Sequence, residues 1–242
     1  MKTNQLTIKD IARSLNVSIS TVSRALKDHP DISQETKDLV RNYAEKFNYR
    51  PNVLALSLRR QRSYSIGLII PAIVHHFFSS VISGIEELAH KEGYNLIICQ
   101  SNESFIREVA NAHTLLSHRV DGILVSISKE THSFEHLVNL QEVGIPLVFF
   151  DRIAPDMHAD QVIIDDMQAS YKATRHLIET GRKRIAHFAG PQTLVIGRDR
   201  LQGYLNALAE AGLPVDNRLI IEADTFEKAR NAVVEMLDAG IV

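Results

Sequence analysis

Residues 7–26 read TIKDIARSLNVSISTVSRAL. Ile8, Ile11, Ala12 and Leu15 recur at helical spacing behind Thr7, whose hydroxyl can cap the helix. Asn16-Val17-Ser18 breaks the period, and Ser18 can cap a second helix running through Thr21, Val22, Ala25 and Leu26. Two short helices about three residues apart are the sequence form of a helix-turn-helix. A third helix is predicted from near Ser33, with Glu35 and Asp38 in its first turn, where they suit the helix dipole. It ends before Asn48 and carries Leu39, Val40, Tyr43, Ala44 and Phe47 on its apolar face.

In such a motif the second helix enters the major groove by its N-terminal end. Ile19 and Ser20 stand there, with Ser23 and Arg24 one turn on. Arg24 is suited to a bidentate pair with guanine, worth roughly 1–3 kcal/mol of discrimination. Ser18, Thr21 and Ser23 are short donors suited to phosphate oxygens. Thr7, Tyr49 and Asn52 complete the DNA-facing candidates in this part of the chain. Asn48-Tyr49-Arg50-Pro51-Asn52 is a stop, because Pro51 disfavours helix at Arg50. Asn52 can then cap a short helix, VLALSLRR, which is too short and too apolar to stand alone and needs a partner.

The charge divides along the same line. Residues 1–62 hold 12 Lys and Arg against 6 Asp and Glu, a net of +6; the other 15 basic and 23 acidic residues leave −8. The overall −2 therefore averages a basic head and an acidic body, the pattern of a polyanion-binding module joined to something else. A hydrophobic content of 45% and a charged content of 23% are ordinary for a globular chain and exclude a disordered or collagen-like one. No apolar run approaches the ~18 residues of a membrane span. The N-terminal MKTNQLTIKD lacks the apolar core of a signal peptide, so a cytoplasmic location is expected. The single Cys99 excludes an internal disulfide and a cysteine zinc cluster, and it reads as a small apolar strand residue.

From Arg59 to Ser65 the chain is polar and basic, a linker. Beyond it, apolar runs alternate with amphipathic stretches. Strands are predicted at Ile66–Ile70, Leu96–Cys99, Gly122–Ser126, Leu147–Phe150, Val162–Ile164, Ile185–Phe188 and Leu219–Glu222. Helices are predicted near 77–91, 105–117, 134–143, 167–180, 198–211 and 226–239. This alternation describes an α/β fold built on a doubly wound parallel sheet, whose ligands bind beyond the carboxyl ends of strands.

TIKDIARSLNVSISTVSRAL followed by NYRPNVLALSL resembles the lactose-repressor (LacI/GalR) family of bacterial transcription regulators. The body is similar to that family's periplasmic-binding-protein-like effector domain, through IGLIIP, RVDGILV, IPLVFFDR, RIAHFAGP and RDRLQGYLNAL. The resemblance implies a helix-turn-helix domain (1–50), a hinge helix and linker (51–62), an effector N-subdomain (63–161) and an incomplete C-subdomain (162–242). It implies base readout at Ile19, Ser20 and Arg24. It also implies a hinge helix in the minor groove, with Leu58 wedged into the central base step and Ala55 as the small residue allowing close approach. The implied partners are a palindromic DNA operator, a small-molecule effector of sugar or related type, and a second copy of the chain, with no cofactor, metal or membrane. Phe77 and Phe78, Ser126, Asp151 and Arg152, and Arg200 match effector-contacting positions. Four departures bear on specificity: Leu56 for a common arginine, divergent Ile19 and Ser20, His75-His76 for Asn-Pro, and Ala72 for aspartate. The resemblance further implies that family members continue beyond the helix ending near 239, so a truncated effector domain is expected.

Two other functions compete. A periplasmic-type sugar-binding protein would share the body fold but not the basic head. A metallopeptidase is suggested by His132-Ser133-Phe134-Glu135-His136, an H-x-x-E-H match without an evident third ligand, in what reads as an ordinary surface helix. The face of the first body helix bearing Val81, Ile82 and Ile85 is either a dimer surface or core.

Overall fold

The computed structural model describes residues 6–49 and 62–241. They fall in a head, Met1–Ser63, and a body, Tyr64–Val242. Asn52, Ala55, Leu56 and Leu58 of the expected hinge helix lie outside the described residues.

The head contains α1 (Ile8–Ser14), α2 (Ile19–Leu26) and α3 (Gln34–Lys46). Each begins on a hydroxyl cap: Thr7, Ser18 and Ser33 accept from the backbone N–H of Asp10, Thr21 and Thr36. At α1 the Asp10 carboxylate accepts in return from the Thr7 N–H, closing a capping box. Asn16 ends α1 in the left-handed region (φ 50°), where its short polar side chain is tolerated, and the Val17 N–H closes the turn on the Ala12 carbonyl at 3.0 Å. Ile11, Ala12, Val22, Ala25, Val40 and Ala44 form the core of the head.

Leu39 and Phe47 do not belong to that core; they are 50% and 49% exposed. The buried stripe of α3 runs through Lys37, Val40 and Ala44, and Leu39 is rotated away from it. Phe47 packs instead on Tyr43, at 4.7 Å between ring centroids. Lys37 buries its stem and puts its ammonium 3.1 Å from the Asp28 carboxylate, which Arg41 also holds at 2.8 Å. Lys37 first, then Arg41, keeps the Asp28 carboxyl below its ordinary pKa.

The body alternates β1 (Ser65–Ile70), α4 (His76–Lys91), β2 (Asn95–Gln100), α5 (Phe105–Ser117), β3 (Gly122–Val125), α6 (Glu135–Glu142), β4 (Leu147–Phe150) and β5 (Asp160–Val162). Then come α7 (Asp166–Glu179), β6 (His187–Ala189), α8 (Val195–Glu210), a short 3-10 turn (Asn217–Leu219), β7 (Ile220–Glu222) and α9 (Phe226–Asp238). Among the described residues, a five-stranded parallel sheet runs β2-β1-β3-β4-β5 and a separate parallel pair runs β6-β7. We call the larger sheet with α4–α6 the first lobe, and the β6-β7 pair with α7–α9 the second.

Leu68, Ile69 and Ile70 of β1 are fully buried, as a covered parallel sheet requires. Alternation sends Ile69 to one face, with Leu115, Ile123, Val125, Leu137, Leu140 and Phe149, and Leu68 and Ile70 to the other. On that second face Val81, Ile82 and Ile85 of α4 pack on the sheet. They pack against that face of the sheet while staying partly exposed, so the amphipathic helix turns the inner side of its apolar stripe to the sheet. Phe78 is core, 4% exposed and edge-on to Phe150 at 6.4 Å.

Two strands sit elsewhere than expected. β5 spans Asp160–Val162 rather than Val162–Ile164, pairing Asp160 with Val148 and Val162 with Phe150. At the sheet edge all three of its residues are exposed, so backbone pairing alone defines it and the apolar run is a poor guide. β6 starts at His187, because Ile185 is taken into a cluster with Tyr204 and Leu208 and its carbonyl accepts from the Tyr204 hydroxyl at 2.9 Å.

Candidate nucleic-acid interface and ligand cleft

In the head, the N-terminal end of α2 is open. Ile19 is 47% exposed, Ser20 and Arg24 are exposed, and Thr21 and Ser23 are half-buried. The Ser18 hydroxyl serves as the cap and lies 2.7 Å from Ser20 Oγ and 2.8 Å from Thr21 Oγ1. These hydroxyls therefore stand as one pre-arranged polar group. Arg24 is loosely tethered, with Nη1 3.9 Å from the exposed Asp31 carboxylate. A surface pair of that length is worth little, so the guanidinium is available to a stronger acceptor. Thr7 caps α1 from an exposed position, and Tyr49 packs against the head core, where burial pushes its phenol pKa up.

In the body, loops leave the carboxyl ends of β3 and β4 side by side. Ser126, fully buried, donates its hydroxyl to Asp151 Oδ2 at 3.4 Å. Asp151 adopts φ 59°, and its N–H is held by the Val162 carbonyl at 3.2 Å. Arg152 is clamped by Glu103, with Nη1 2.7 Å and 3.0 Å from the two carboxylate oxygens, and its Nε lies 3.8 Å from Asp151. Arg200, in the first turns of α8, pairs with Asp166 at the start of α7 at 2.7 Å.

Asp151 feels both sides of this cleft. Burial foremost raises its pKa, Arg152 and Arg200 oppose that, and Asp166 adds to it. Ser126, Asp151 and Arg152 are thus in contact, while Arg200 pairs with Asp166 on the other lobe and acts on Asp151 through charge alone. Phe77, 51% exposed at the start of α4, offers its ring outward, whereas Phe78 is used by the core. Sequence reasoning did not single out Glu103, Asp166 or His187. His187 stacks on Tyr204, and its pKa is lowered by burial and then by Arg200. Asp166 could have been found by the reasoning that found Asp151, since Asp165-Asp166 also follows a strand.

Beneath the cleft lies a buried carboxylate. Glu108 of α5, fully buried, accepts from the Ser128 N–H (2.6 Å) and the Thr131 hydroxyl (2.9 Å) and faces His136 Nε2 at 3.0 Å. It pins the loop after β3. It also engages one histidine of the H-x-x-E-H match, which is buried and not on a surface helix face. The other, His132, bonds the Glu130 carbonyl at 3.0 Å and packs on Phe105. Among the described residues no group of three His, Cys, Asp or Glu side chains could hold a metal ion.

A family model described as "Bacterial regulatory proteins, lacI family" matches residues 7–52. One described as "Periplasmic binding proteins and sugar binding domain of LacI family" matches residues 63–240. The chain belongs to the LacI family.

Catabolite control protein A of Priestia megaterium is 33% identical over 235 residues, which cover 96% of this chain and 70% of that protein. The transcriptional repressor CytR of Escherichia coli K12 is 34% identical over 233 residues, covering 96% of this chain and 68% of that protein. The fold matches a crystal structure of the Lac repressor dimer bound to operator with a TM-score of 0.82. That match covers 99% of this chain and 72% of that one at 23% identity. As a LacI-family member, the chain is a DNA-binding transcriptional regulator and not an enzyme. The α1–α3 head is its helix-turn-helix, and the two-lobed body is its periplasmic-binding-protein-like domain. Among the described residues, no helix is long and apolar enough to cross a membrane.

Proposed function

We propose that this LacI-family chain is a repressor that recognises a palindromic operator as a homodimer and is controlled by a small polar metabolite of sugar or related type. The observation that carries the reading is the open N-terminal end of α2, which presents Ile19, Ser20 and Arg24 from a head carrying net charge +6. Arg24 reads a base edge, Ser18, Thr21 and Ser23 with Thr7 position the phosphates, and Tyr49 and Asn52 support the start of the hinge. Leu58 and Ala55 act in the minor groove. The effector lies against Ser126, Asp151, Arg152, Arg200 and Phe77, where unfilled acceptor capacity on Asp151 suits ligand hydroxyls. The protein works in the cytoplasm, at the nucleoid when bound.

The test is selection of duplexes from a random pool by the full chain, followed by binding measurements across salt. The selected sites are expected to be palindromic. A protein making 6–10 phosphate contacts loses roughly 10³–10⁵ in affinity between 50 and 200 mM salt. Leu58→Ala is expected to lose preference for the selected site while keeping salt-dependent binding to arbitrary duplex. Selection of no common sequence, with binding flat across salt, would sink the proposal.

A further inference from the structure

The two lobes of the body touch at few described polar groups, and one of these is an ion pair between distant loops. Lys129, in the loop after β3, places Nζ 2.9 Å from Asp224 Oδ2, in the loop after β7. We infer that Lys129 and Asp224 form a reversible clasp between the two lobes, and that this pair sets how far the cleft stands open.

Both ends are built for the contact. The Lys129 N–H is held by Glu103 at 2.9 Å, next to the Ser128 N–H held by buried Glu108, so its loop is anchored to the first lobe. The Lys129 carbonyl accepts from the Thr193 hydroxyl of the second lobe at 3.4 Å. The Asp224 side chain is only 10% exposed, which removes it from most of its water and makes it depend on a cation beside it. Asp224 also has a second cation: Lys228, one turn on in α9, holds Oδ1 at 2.6 Å.

That arrangement is what makes the clasp reversible. When the lobes part, Asp224 keeps Lys228, which travels with it, and Lys129 returns to solvent, where it is already 32% exposed. Neither charge is stranded in either position, so both positions are accessible. Lys129 first, then Lys228, holds the Asp224 carboxyl down at about 2, so that carboxylate stays charged throughout the neutral range. A different contact marks where the lobes stay joined. Leu194, just before α8, is 4% exposed within the first lobe's core cluster and supplies an apolar attachment that salt does not weaken. Glu103 further ties the clasp to the cleft, because the carboxylate that holds the Lys129 backbone also holds Arg152.

The test needs no effector. Spin labels on Glu142→Cys in α6 and Glu235→Cys in α9, both exposed, with Cys99→Ser, report the lobe separation of the full chain as a distance distribution. At about 0.05 M salt a narrow distribution is expected, broadening to longer separations near 1 M, where screening acts over ~3 Å. At low salt Asp224→Asn and Lys129→Met are each expected to reproduce that broadening, and the double variant to open no further than either. Lys228→Met, which changes a cation on the same lobe as Asp224, is expected to stay narrow. A distribution indifferent to both salt and Lys129→Met overturns the inference, as does Lys228→Met opening as far as Asp224→Asn, or single effects that add in the double variant. The salt series leaves the pair intact, so it decides the matter even if a charge variant folds poorly.

Discussion

Replacing Gly203 by alanine adds one methyl group, and the geometry says where it goes. A Cβ on Gly203 would lie 2.1 Å from the Met167 carbonyl oxygen and 2.9 Å from the Tyr171 backbone nitrogen, both on α7. Both obstacles are backbone, so no rotamer change relieves them. An ordinary contact needs about 3.4 Å, so α7 and α8 must part locally by about 1 Å. Overpacking of this kind costs roughly 1–3 kcal/mol. For a body of this size each kcal/mol moves Tm by about 2–4 °C, which places the loss at roughly 2–12 °C. Gly84→Ala is the matched control. It makes the same change inside α4, where an added Cβ meets nothing within 4 Å, and it should stabilise by roughly 0.5–1 kcal/mol through helix entropy. Differential scanning fluorimetry of both variants and the parent, at one concentration and pH, reads the contrast. A Gly203→Ala melt within a degree of the parent would falsify the claim that the α7–α8 contact is backbone-limited. Parting those helices also moves Arg200 from Asp166, so a shift confined to effector affinity, with Tm unchanged, would point to a looser contact than the one described.

The head separates stability from recognition. Ser18→Ala should cost about 1 kcal/mol of head stability through the lost cap, whereas Arg24→Ala should leave head unfolding within about 0.5 kcal/mol and weaken the selected duplex by roughly 1–3 kcal/mol. Equal effects of both on urea unfolding would contradict this division. Glu108→Ala removes the acceptor from three buried donor positions and is expected to cost roughly 3–5 kcal/mol in a denaturant titration; a midpoint unchanged from the parent would show that the loop after β3 does not depend on it. Asp151 has its pKa raised in the fold, mainly by burial, so its favourable contribution is present below the unfolded value near 3.9 and is lost as pH rises through the folded one. Asp151→Asn should therefore raise the body's Tm at pH 7 and lose that advantage towards pH 4; a gain that grew on acidification would reverse the assigned sign.

The head was readable because its determinants are local. Thr7, Ser18 and Ser33 each cap a helix within three residues, and the apolar period that follows is short-range. The body's alternation was readable for the same reason, and β1 and β4, buried on both faces, announce themselves as continuous apolar runs. What failed depends on neighbours. β5 is a strand only because β4 offers it an edge, which no apolar run announces. The ligand cleft was half visible: strand ends gave Ser126, Asp151 and Arg152. Their partners were hidden, because Glu103 meets Arg152 across 49 residues and Asp166 meets Arg200 across 34, and no periodicity encodes such pairings.

The buried Glu108 separates two burdens that a binding loop usually carries together. The shape of the loop after β3 is fixed by a fully buried carboxylate, which holds the Ser128 N–H and the Thr131 hydroxyl, while the ligand candidates Asp151, Arg152 and Arg200 stand on other segments. Substitutions at those three positions touch none of the groups Glu108 holds, so they can change which molecule is recognised without disturbing how the loop is held. A lineage could therefore exchange one ligand for another through small surface steps, with the costly invention, the hidden anchor, already made.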